Sequence, residues 1–250
     1  VQKILGSTPK VLAPINGTPF LEYLLSWLET FRARRVILCL GYLAEKVEEY
    51  LNTHKISKIK VDTVIEHKPL GTAGALRLAL PLLSSEHIMV MNGDSWLDAD
   101  LAAFVQSHLD SKARLSMLCA KVEDCCRFGR VDIDDNGIFN KFVEKDINFN
   151  GSGIINAGIY LFEKNVINNL SSVAALSLEF DVLANEPKGS INAFIVKQDT
   201  FIDIEQNPDE DKIRFYTQNL ERMIIDENGK IGIATNNPFS TLHIDSKDGL

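Results

Sequence analysis

Apolar residues follow two spacings along the first 122 residues, and each spacing predicts a different element. Continuous or alternating apolar runs predict strands at 34–42, 58–66, 87–94 and 113–122. Between them, apolar residues recur every three or four positions, which predicts helices at 43–54, 74–83 (ending near Pro81) and 101–111. This succession predicts an α/β fold: a mostly parallel, Rossmann-like sheet with helices on both faces.

The pattern changes twice in the second half of the chain. A β-hairpin turning at 135–137 is predicted first, then a strand at 153–162 with a glycine inside it, then two short strands within 191–204. Beyond residue 205 the helical spacing ends, and Asn, Gly and Pro separate short apolar runs at 213–216, 223–225, 231–233 and 241–244. We therefore predict an α/β domain over 1–204 and a short β-rich tail over 205–250.

Composition excludes several classes of protein. The chain has 250 residues and a net charge of −8, so it is a poor candidate for binding a nucleic acid polymer, although one nucleotide needs only a few local donors. No apolar run approaches the length of a membrane span, and no signal peptide is visible. The four cysteines lack the spacing of a zinc site. We expect a reduced, cytoplasmic protein that binds neither nucleic acid polymers nor membranes.

The stretch EHKPLGTAGALRLAL, residues 66–80, places two glycines where a helix begins. Glycine weakens a helix interior by about 1 kcal/mol relative to alanine. One explanation is structural: Pro69 and Gly71 form a turn, and Thr72 caps the helix. The other is that a ligand lies against the helix start, where bare N–H groups face it and no Cβ obstructs. The stretch alone leaves both open.

Three acidic residues end, follow or interrupt apolar strands. Ligands of such sheets bind beyond the carboxyl ends of the strands, which singles out Glu66 and Asp94. Asp94 fits an ordinary strand-end turn, but it also fits a Mg²⁺ site, which needs one or two carboxylates and phosphate oxygens. Asp203, between isoleucines, is a second carboxylate for that site, or a solvent-facing strand residue.

Other polar residues lie where substrate phosphates or hydroxyls could be held. Lys10 follows a proline turn and is either a solvated lysine or a phosphate ligand. Acidic, amide and glycine backbone groups that suit a hydroxyl-rich ligand occur at Glu144, Lys145, Asn156, Ala157 and Gly158.

An ordered series of motifs joins these signals. PKVLAPI, E-x-x-PLGTAGAL, NGD, RFG, VEK, INAGIYLF and FIDI follow one another within residues 1–204. The series resembles the sugar-1-phosphate nucleotidylyltransferases, and among them most the mannose-1-phosphate and heptose-1-phosphate guanylyltransferases. The resemblance implies a glycosyltransferase-A-like nucleotidyltransferase fold. It also implies an enzyme that joins a nucleoside triphosphate to a sugar 1-phosphate and releases pyrophosphate, with Mg²⁺ as cofactor.

The resemblance also assigns roles by motif. Lys10 and Asp94 are the implied catalytic residues, and Asp94 and Asp203 the implied Mg²⁺ ligands. The implied nucleotide-binding residues are Glu66, Pro69, Leu70, Gly71, Thr72, Gly74, Asn92 and Gly93. The implied sugar-phosphate-binding residues are Gly129, Glu144, Lys145, Asn156, Ala157 and Gly158.

Glu66 favours GTP if it reads the base. Guanine presents two neighbouring N–H donors on its pairing edge, and a carboxylate accepts both. Uracil and thymine present one donor between two acceptors, which suits an amide better.

The sequence departs from the family at both ends. The family's first strand and its loop ending in Gly-Thr-Arg would come ahead of Val1, so either this chain is a fragment of a longer one that carries them, or the domain has lost triphosphate chemistry. Residues 206–245 instead resemble repeats of phage tail-fibre and adhesin proteins, so the tail is a candidate homo-oligomer contact. Two alternatives to an active enzyme therefore stay open: a non-catalytic nucleotide-sugar-binding or regulatory module, and a structural fibre protein carrying a captured enzyme domain.

Overall fold

The structure is a computed structural model that describes most of residues 8–196 and five later strands. The described residues are 8–122, 125, 128–134, 138–143, 151–170, 177–196, 201–204, 213–217, 220–225, 231–233 and 242–244. From residue 201 onward, side chains are described at 223–225 and 231 alone.

Helices and strands alternate over residues 20–122 as the sequence predicts, except that two strands follow one another between residues 87 and 97. The helices are α1 (Phe20–Thr30), α2 (Ala44–Thr53), α3 (Gly71–Ala79), α4 (Leu101–Ser111) and α5 (Lys164–Asn169). The first strands are β1 (Pro14–Ile15), β2 (Thr18–Pro19), β3 (Arg35–Leu40), β4 (Lys60–Ile65), β5 (His87–Met91), β6 (Ser95–Leu97) and β7 (Leu115–Val122). The later strands are β8 (Arg130–Ile133), β9 (Phe139–Val143), β10 (Gly153–Glu163), β11 (Ile191–Val196), β12 (Phe201–Ile204), β13 (Ile213–Thr217), β14 (Leu220–Ile225), β15 (Ile231–Ile233) and β16 (Leu242–Ile244).

The α/β class is confirmed, and the sheet is more mixed than the sequence predicts. The central sheet has the order β11-β7-β10-β8-β9, with β5 also pairing with β10. Strands β3 and β4 pair in parallel, as do β7 and β11. The long strand β10 runs antiparallel to β5, β7 and β8. Because β10 follows the β8–β9 hairpin and returns through the middle of the sheet, it introduces antiparallel pairs that helix-linked strands do not form.

Helices cover both faces of the central sheet. Alternate side chains of β7 point to opposite faces, and seven of its eight residues are buried. Met117 belongs to the core cluster that contains Leu76 of α3 and Ile167 of α5. Leu118 belongs to the other cluster, with Phe104 of α4. No helix in the described ranges is long and apolar enough to cross a membrane.

A side-chain cap, a proline and a glycine mark the ends of helices α3 and α4. The Asp100 side chain accepts hydrogen bonds from the N–H groups of Ala102 and Ala103, at 2.9 and 3.0 Å, and so caps α4. Helix α3 gives way near Pro81 to a 3₁₀ turn over Leu80–Leu82, as the sequence predicts. It begins at Gly71 without a side-chain cap, so the alternative in which Thr72 caps α3 is wrong.

A second sheet joins the core to the tail. Its order is β16-β15-β14-β13-β12-β6. Strand β12 pairs antiparallel with both β6 and β13, so hydrogen bonding continues across residue 205. Ile224 in β14 is fully buried. The division at residue 205 stays a prediction.

Candidate active site

A cavity of about 1200 Å³ opens between β3 and β5 and their neighbouring helices. In the described part of the chain, β3 pairs only with β4, and β5 pairs only with β10. The other edge of β3 and the other edge of β5 face this cavity. The cavity is also lined by predicted site residues that come from three separate segments, namely Lys10, Thr72, Asn92, Gly93 and Asp94.

The backbone geometry of the turn into α3 requires glycine at both positions. Gly71 has a φ of 71°, which a side chain would strain. A Cβ at Gly74 would lie 2.6 Å from the Cβ of Leu70, so only glycine allows this turn to close on the helix. Pro69, ahead of this turn, is exposed. Thr72, which lies between the two glycines, lines the cavity, and this is compatible with a ligand against the helix start.

The Glu66 carboxylate lies directly behind the cavity wall. Its Oε2 accepts a hydrogen bond from the N–H of Leu70 at 3.1 Å. Its Oε1 is 2.6 Å from the position that a Cβ at Gly41 would occupy, and Gly41 lines the cavity. Burial, and then the charge of Glu66, raise the pKa of the nearby Cys39 thiol to about 11. The carboxylate thus stabilises the turn into α3, and its negative charge raises the pKa of Cys39 in the cavity wall.

The two aspartates of the predicted metal site belong to segments that neighbour each other in the second sheet: Asp203 lies in β12, and Asp94 lies just ahead of β6. Asp94 lines the cavity and directly precedes β6, and the β12–β6 register pairs Asp203 with Ser95. The side of Gly93 where a Cβ would stand has no atom within 4 Å. The side chain of Asp203 is outside the described residues. Among described side chains, no group of three or more His, Cys, Asp or Glu could hold a metal. The Mg²⁺ site therefore stays a prediction.

A bulge in β10 carries three predicted sugar-side residues, Asn156, Ala157 and Gly158. The pairing of β10 with β7 shifts register between Asn156 and Tyr160. Gly158 has a φ of 71°, and its carbonyl accepts a hydrogen bond from the N–H of Asn92 at 2.9 Å. A Cβ at Gly158 would lie 2.5 Å from Nδ2 of Asn92. The bulge therefore holds the Asn156 segment against the end of β5, next to the cavity.

The remaining predicted sugar-side residues are only partly described. The carbonyl of Gly129 accepts a hydrogen bond from the N–H of Asn156 at 2.9 Å, and a Cβ at Gly129 would collide with the ring of Phe142. Glu144 and Lys145 lie outside the described residues. Gly129 thus supports the Asn156 segment through its backbone.

The sequence analysis missed two residues that join these parts. The Tyr160 hydroxyl donates to Oε1 of Glu179 at 3.2 Å and accepts from Nδ2 of Asn156 at 2.5 Å. The Thr72 hydroxyl donates to Oε2 of Glu179 at 3.1 Å. A tyrosine in an otherwise apolar strand was a usable signal, because a buried hydroxyl needs a partner. Glu179 lies in a segment without helical or strand periodicity and gave no signal.

A family model and the sequence relatives both relate this chain to nucleotidyl transferases. Residues 5–202 match the family described as nucleotidyl transferase. The chain is 33% identical over 204 residues to the D-glycero-alpha-D-manno-heptose 1-phosphate guanylyltransferase of Campylobacter jejuni, covering 82% of this chain and 88% of that protein. It is 37% identical over 180 residues to the mannose-1-phosphate guanylyltransferase catalytic subunit beta of Drosophila melanogaster, covering 70% and 48%.

Solved structures agree with the sequence relatives. The crystal structure of HddC from Yersinia pseudotuberculosis superposes with a TM-score of 0.72 at 36% identity, over 81% of this chain and 87% of that chain. The same protein complexed with GMP-PN gives a TM-score of 0.71 at 35% identity, over 80% and 86%.

Proposed function

The chain belongs to the nucleotidyl transferase family, and we propose that it transfers a guanylyl group from GTP to a hexose or heptose 1-phosphate. The products are a nucleotide sugar and pyrophosphate. The observation that carries the proposal is the meeting of Lys10, the start of α3 and Asp94 at one cavity. Relatives named as heptose-1-phosphate and mannose-1-phosphate guanylyltransferases support the choice of GTP and of the sugar class.

The reaction is an in-line displacement at the α-phosphorus. A phosphate oxygen of the sugar 1-phosphate forms a bond to the α-phosphorus, the bond to the oxygen bridging the α- and β-phosphates breaks, and pyrophosphate leaves with the electron pair. Such a transfer needs no covalent intermediate on the protein. The protein contributes mainly alignment of the substrates and neutralisation of charge.

The nucleotide side of the cavity is formed by Lys10 and α3. The Lys10 ammonium neutralises phosphate charge, and the N–H groups at the start of α3 face the nucleotide. Gly71 and Gly74 add no side chain of their own to that helix start. Glu66, whose charge acts on the cavity wall at Gly41 and Cys39, accepts the N–H donors of guanine.

Asp94 and Asp203 are the carboxylates proposed for Mg²⁺. Asp94 lines the cavity, and the backbone register of β12 pairs Asp203 with Ser95, the residue that follows Asp94. One or two carboxylates completed by phosphate oxygens and water are the usual protein contribution to a Mg²⁺ site. When bound, the ion supplies positive charge against the phosphate oxygens. Asp94 and Asp203 would hold it.

The sugar 1-phosphate is assigned to the Asn156 side. The Asn156 amide and the backbone of the β10 bulge provide donors and acceptors for hydroxyl groups. Glu144 and Lys145 belong to this side by their motif.

The direct test is product formation by the purified chain. GTP, Mg²⁺ and either mannose 1-phosphate or D-glycero-α-D-manno-heptose 1-phosphate are supplied, and pyrophosphate and nucleotide sugar are quantified. We expect both products in equal amounts, with GTP faster than UTP or dTTP. GTP binding in calorimetry without product would support the non-catalytic binding module instead. Neither binding nor product would favour the structural fibre protein.

A further inference from the structure

A chain of hydrogen bonds crosses from the nucleotide side of the cavity to the sugar side. Its centre is the Glu179 carboxylate, which accepts from three hydroxyl groups. Oε2 accepts from Thr72 at 3.1 Å and from Ser177 at 3.2 Å, and Oε1 accepts from Tyr160 at 3.2 Å. Thr72 is the second residue of α3, so this arm attaches the start of α3 to Glu179 across a separation of 107 residues.

The second arm continues through Tyr160 to the bulge of β10. The Tyr160 hydroxyl accepts from Nδ2 of Asn156 at 2.5 Å, and Oδ1 of Asn156 accepts from the N–H of Gly158 at 2.9 Å. The carbonyl of Gly158 in turn accepts from the N–H of Asn92. Because a backbone N–H can only donate, Oδ1 must face Gly158, which fixes the orientation of the Asn156 amide.

The protons of both arms have defined directions. The N–H of Leu178 donates to the Thr72 hydroxyl oxygen at 2.7 Å, so the Thr72 proton is directed at Glu179. Tyr160 is fully buried, and burial raises its pKa well above the ordinary value, so its hydroxyl keeps the proton that it donates. The protons of Thr72 and Tyr160 thus both point at the Glu179 carboxylate oxygens, which act as acceptors.

We propose that Glu179 is a positioning residue that holds the start of α3 and the Asn156 amide in one fixed arrangement, so that nucleotide and sugar 1-phosphate are aligned together. The inference rests on the proposed function, which assigns these two groups to the two substrates. Glu179 acts through Thr72 and through Tyr160 and Asn156, not by touching a substrate.

The first test replaces the carboxylate by its amide. Glu179→Gln replaces one carboxylate oxygen by an NH₂ group, so the arm on that side loses its acceptor. It also removes the negative charge, so the hydrogen bonds of the other arm weaken. We expect KM for GTP and KM for the sugar 1-phosphate each to rise, on the order of tenfold, since hydrogen bonds to charged groups are lost. The matched control is Glu86→Gln, at an exposed carboxylate ahead of β5, and it should change neither value. Unchanged KM values in Glu179→Gln, or a change in thermal stability alone, would overturn the proposal.

The second test separates the arms. Tyr160→Phe removes only the hydroxyl that joins Glu179 to Asn156. It should raise KM for the sugar 1-phosphate and leave KM for GTP near its original value. An equal rise in both would contradict a two-armed arrangement.

A third readout does not need turnover. In hydrogen exchange, Glu179→Gln should speed exchange both at the start of α3 and at 156–158, whereas Tyr160→Phe should act mainly on 156–158. If the unmodified chain makes no nucleotide sugar, the proposed function fails and this exchange pattern still decides the inference. If the chain is active but only one of the two segments responds to Glu179→Gln, the proposed function stands and the inference fails.

Discussion

Glu66 presents its two oxygens to different neighbours. Oε2 is occupied by the N–H of Leu70, and Oε1 lies against the Gly41 backbone at the cavity wall. Each carboxylate oxygen has two lone-pair directions, so the hydrogen bond to Leu70 leaves acceptor capacity for a base. Glu66 supports the turn into α3, and in the proposed site we expect it also to select guanine.

Replacing Glu66 by glutamine separates its support of the α3 turn from its expected recognition of the base. In Glu66→Gln the amide oxygen can keep the hydrogen bond to Leu70, while the NH₂ group presents a donor where guanine also presents donors. We expect the rate with GTP relative to UTP or dTTP to fall by about tenfold or more, which corresponds to about 1.4 kcal/mol. Competition assays with mixed nucleotides measure this ratio, and Glu45→Gln on the exposed face of α2 is the control. Unchanged ratios would mean that backbone groups read the base.

The bulge of β10 contacts the end of β5 beside the cavity. A glycine inside this strand was visible in the sequence, and glycines inside strands often mark bulges. The structure adds the reason: Gly158 needs a positive φ and lies against Asn92. The same bulge turns Asn156 towards Tyr160. An irregularity in one strand thus connects the Asn156 segment to the loop that carries Asp94.

The β8–β9 hairpin supports that bulge through Gly129, and this can be measured as stability. A Cβ at Gly129 would collide with the Phe142 ring, whereas a Cβ at Gly93 would meet no atom within 4 Å. We expect Gly129→Ala to lower the free energy of unfolding by about 1–3 kcal/mol, as overpacking does. Gly93→Ala is the control in the same denaturant titrations and should lower it far less. Equal losses would show that the Phe142 ring moves aside without cost.

Helix α4 carries a buried histidine at the opposite end of the sheet. His108 is 1% exposed, and its Nδ1 is 2.7 Å from the Ser116 hydroxyl. Its Nε2 is 3.1 Å from Nδ1 of His87, and the charged groups nearby are Glu163 and its ion-pair partner Arg114. Burial, and then His87, lower the pKa of His108, while Glu163 opposes the shift. The folded state therefore favours neutral His108.

This lowered pKa predicts how stability changes with acid. Below pH 6.5, the ordinary value for histidine, the unfolded chain takes up a proton that folded His108 still excludes, so stability falls until the lower folded pKa is reached. We expect the free energy of unfolding to decrease less between pH 7 and pH 5 in His108→Gln than in the unmodified chain. His67→Gln, at an exposed histidine, should leave the slope unchanged. Equal slopes in all three proteins would contradict the burial argument.

The whole molecule shows which features the sequence could predict. Strongly periodic segments such as β3, α2 and β7 lie where the spacing placed them, because local patterns determine such elements. Lys10, Thr72 and Asp94, which the motif series grouped, line one cavity, and their roles stay predictions. The antiparallel pairing of β10 and the contacts of Glu179 were not predictable, since they depend on residues far apart in the sequence and on a segment without periodicity.

The tail provides a test of domain organisation. The family match ends at residue 202, yet β13 pairs with β12 and Ile224 is buried. We expect a chain ending at Ile204 to fold with reduced thermal stability, because β12 loses a strand partner, and to keep its affinity for GTP. Calorimetric unfolding and titration of both chains measure these quantities. Loss of GTP binding in the shortened chain would place the tail within the catalytic domain.

Mg²⁺-dependent pyrophosphate release by Asp94→Asn tests the proposed site most directly. Asp94 lines the cavity and neighbours Ser95, the residue paired with Asp203, whereas Asp98 is exposed a few residues further on and provides Asp98→Asn as the matched control. We predict that Asp94→Asn lowers the Mg²⁺-dependent rate by at least about a hundredfold, or about 2.7 kcal/mol of transition-state stabilisation, with unfolding unchanged. Asp98→Asn should retain the full rate. Comparable rates in Asp94→Asn and Asp98→Asn would contradict a metal-assisted transfer at this cavity.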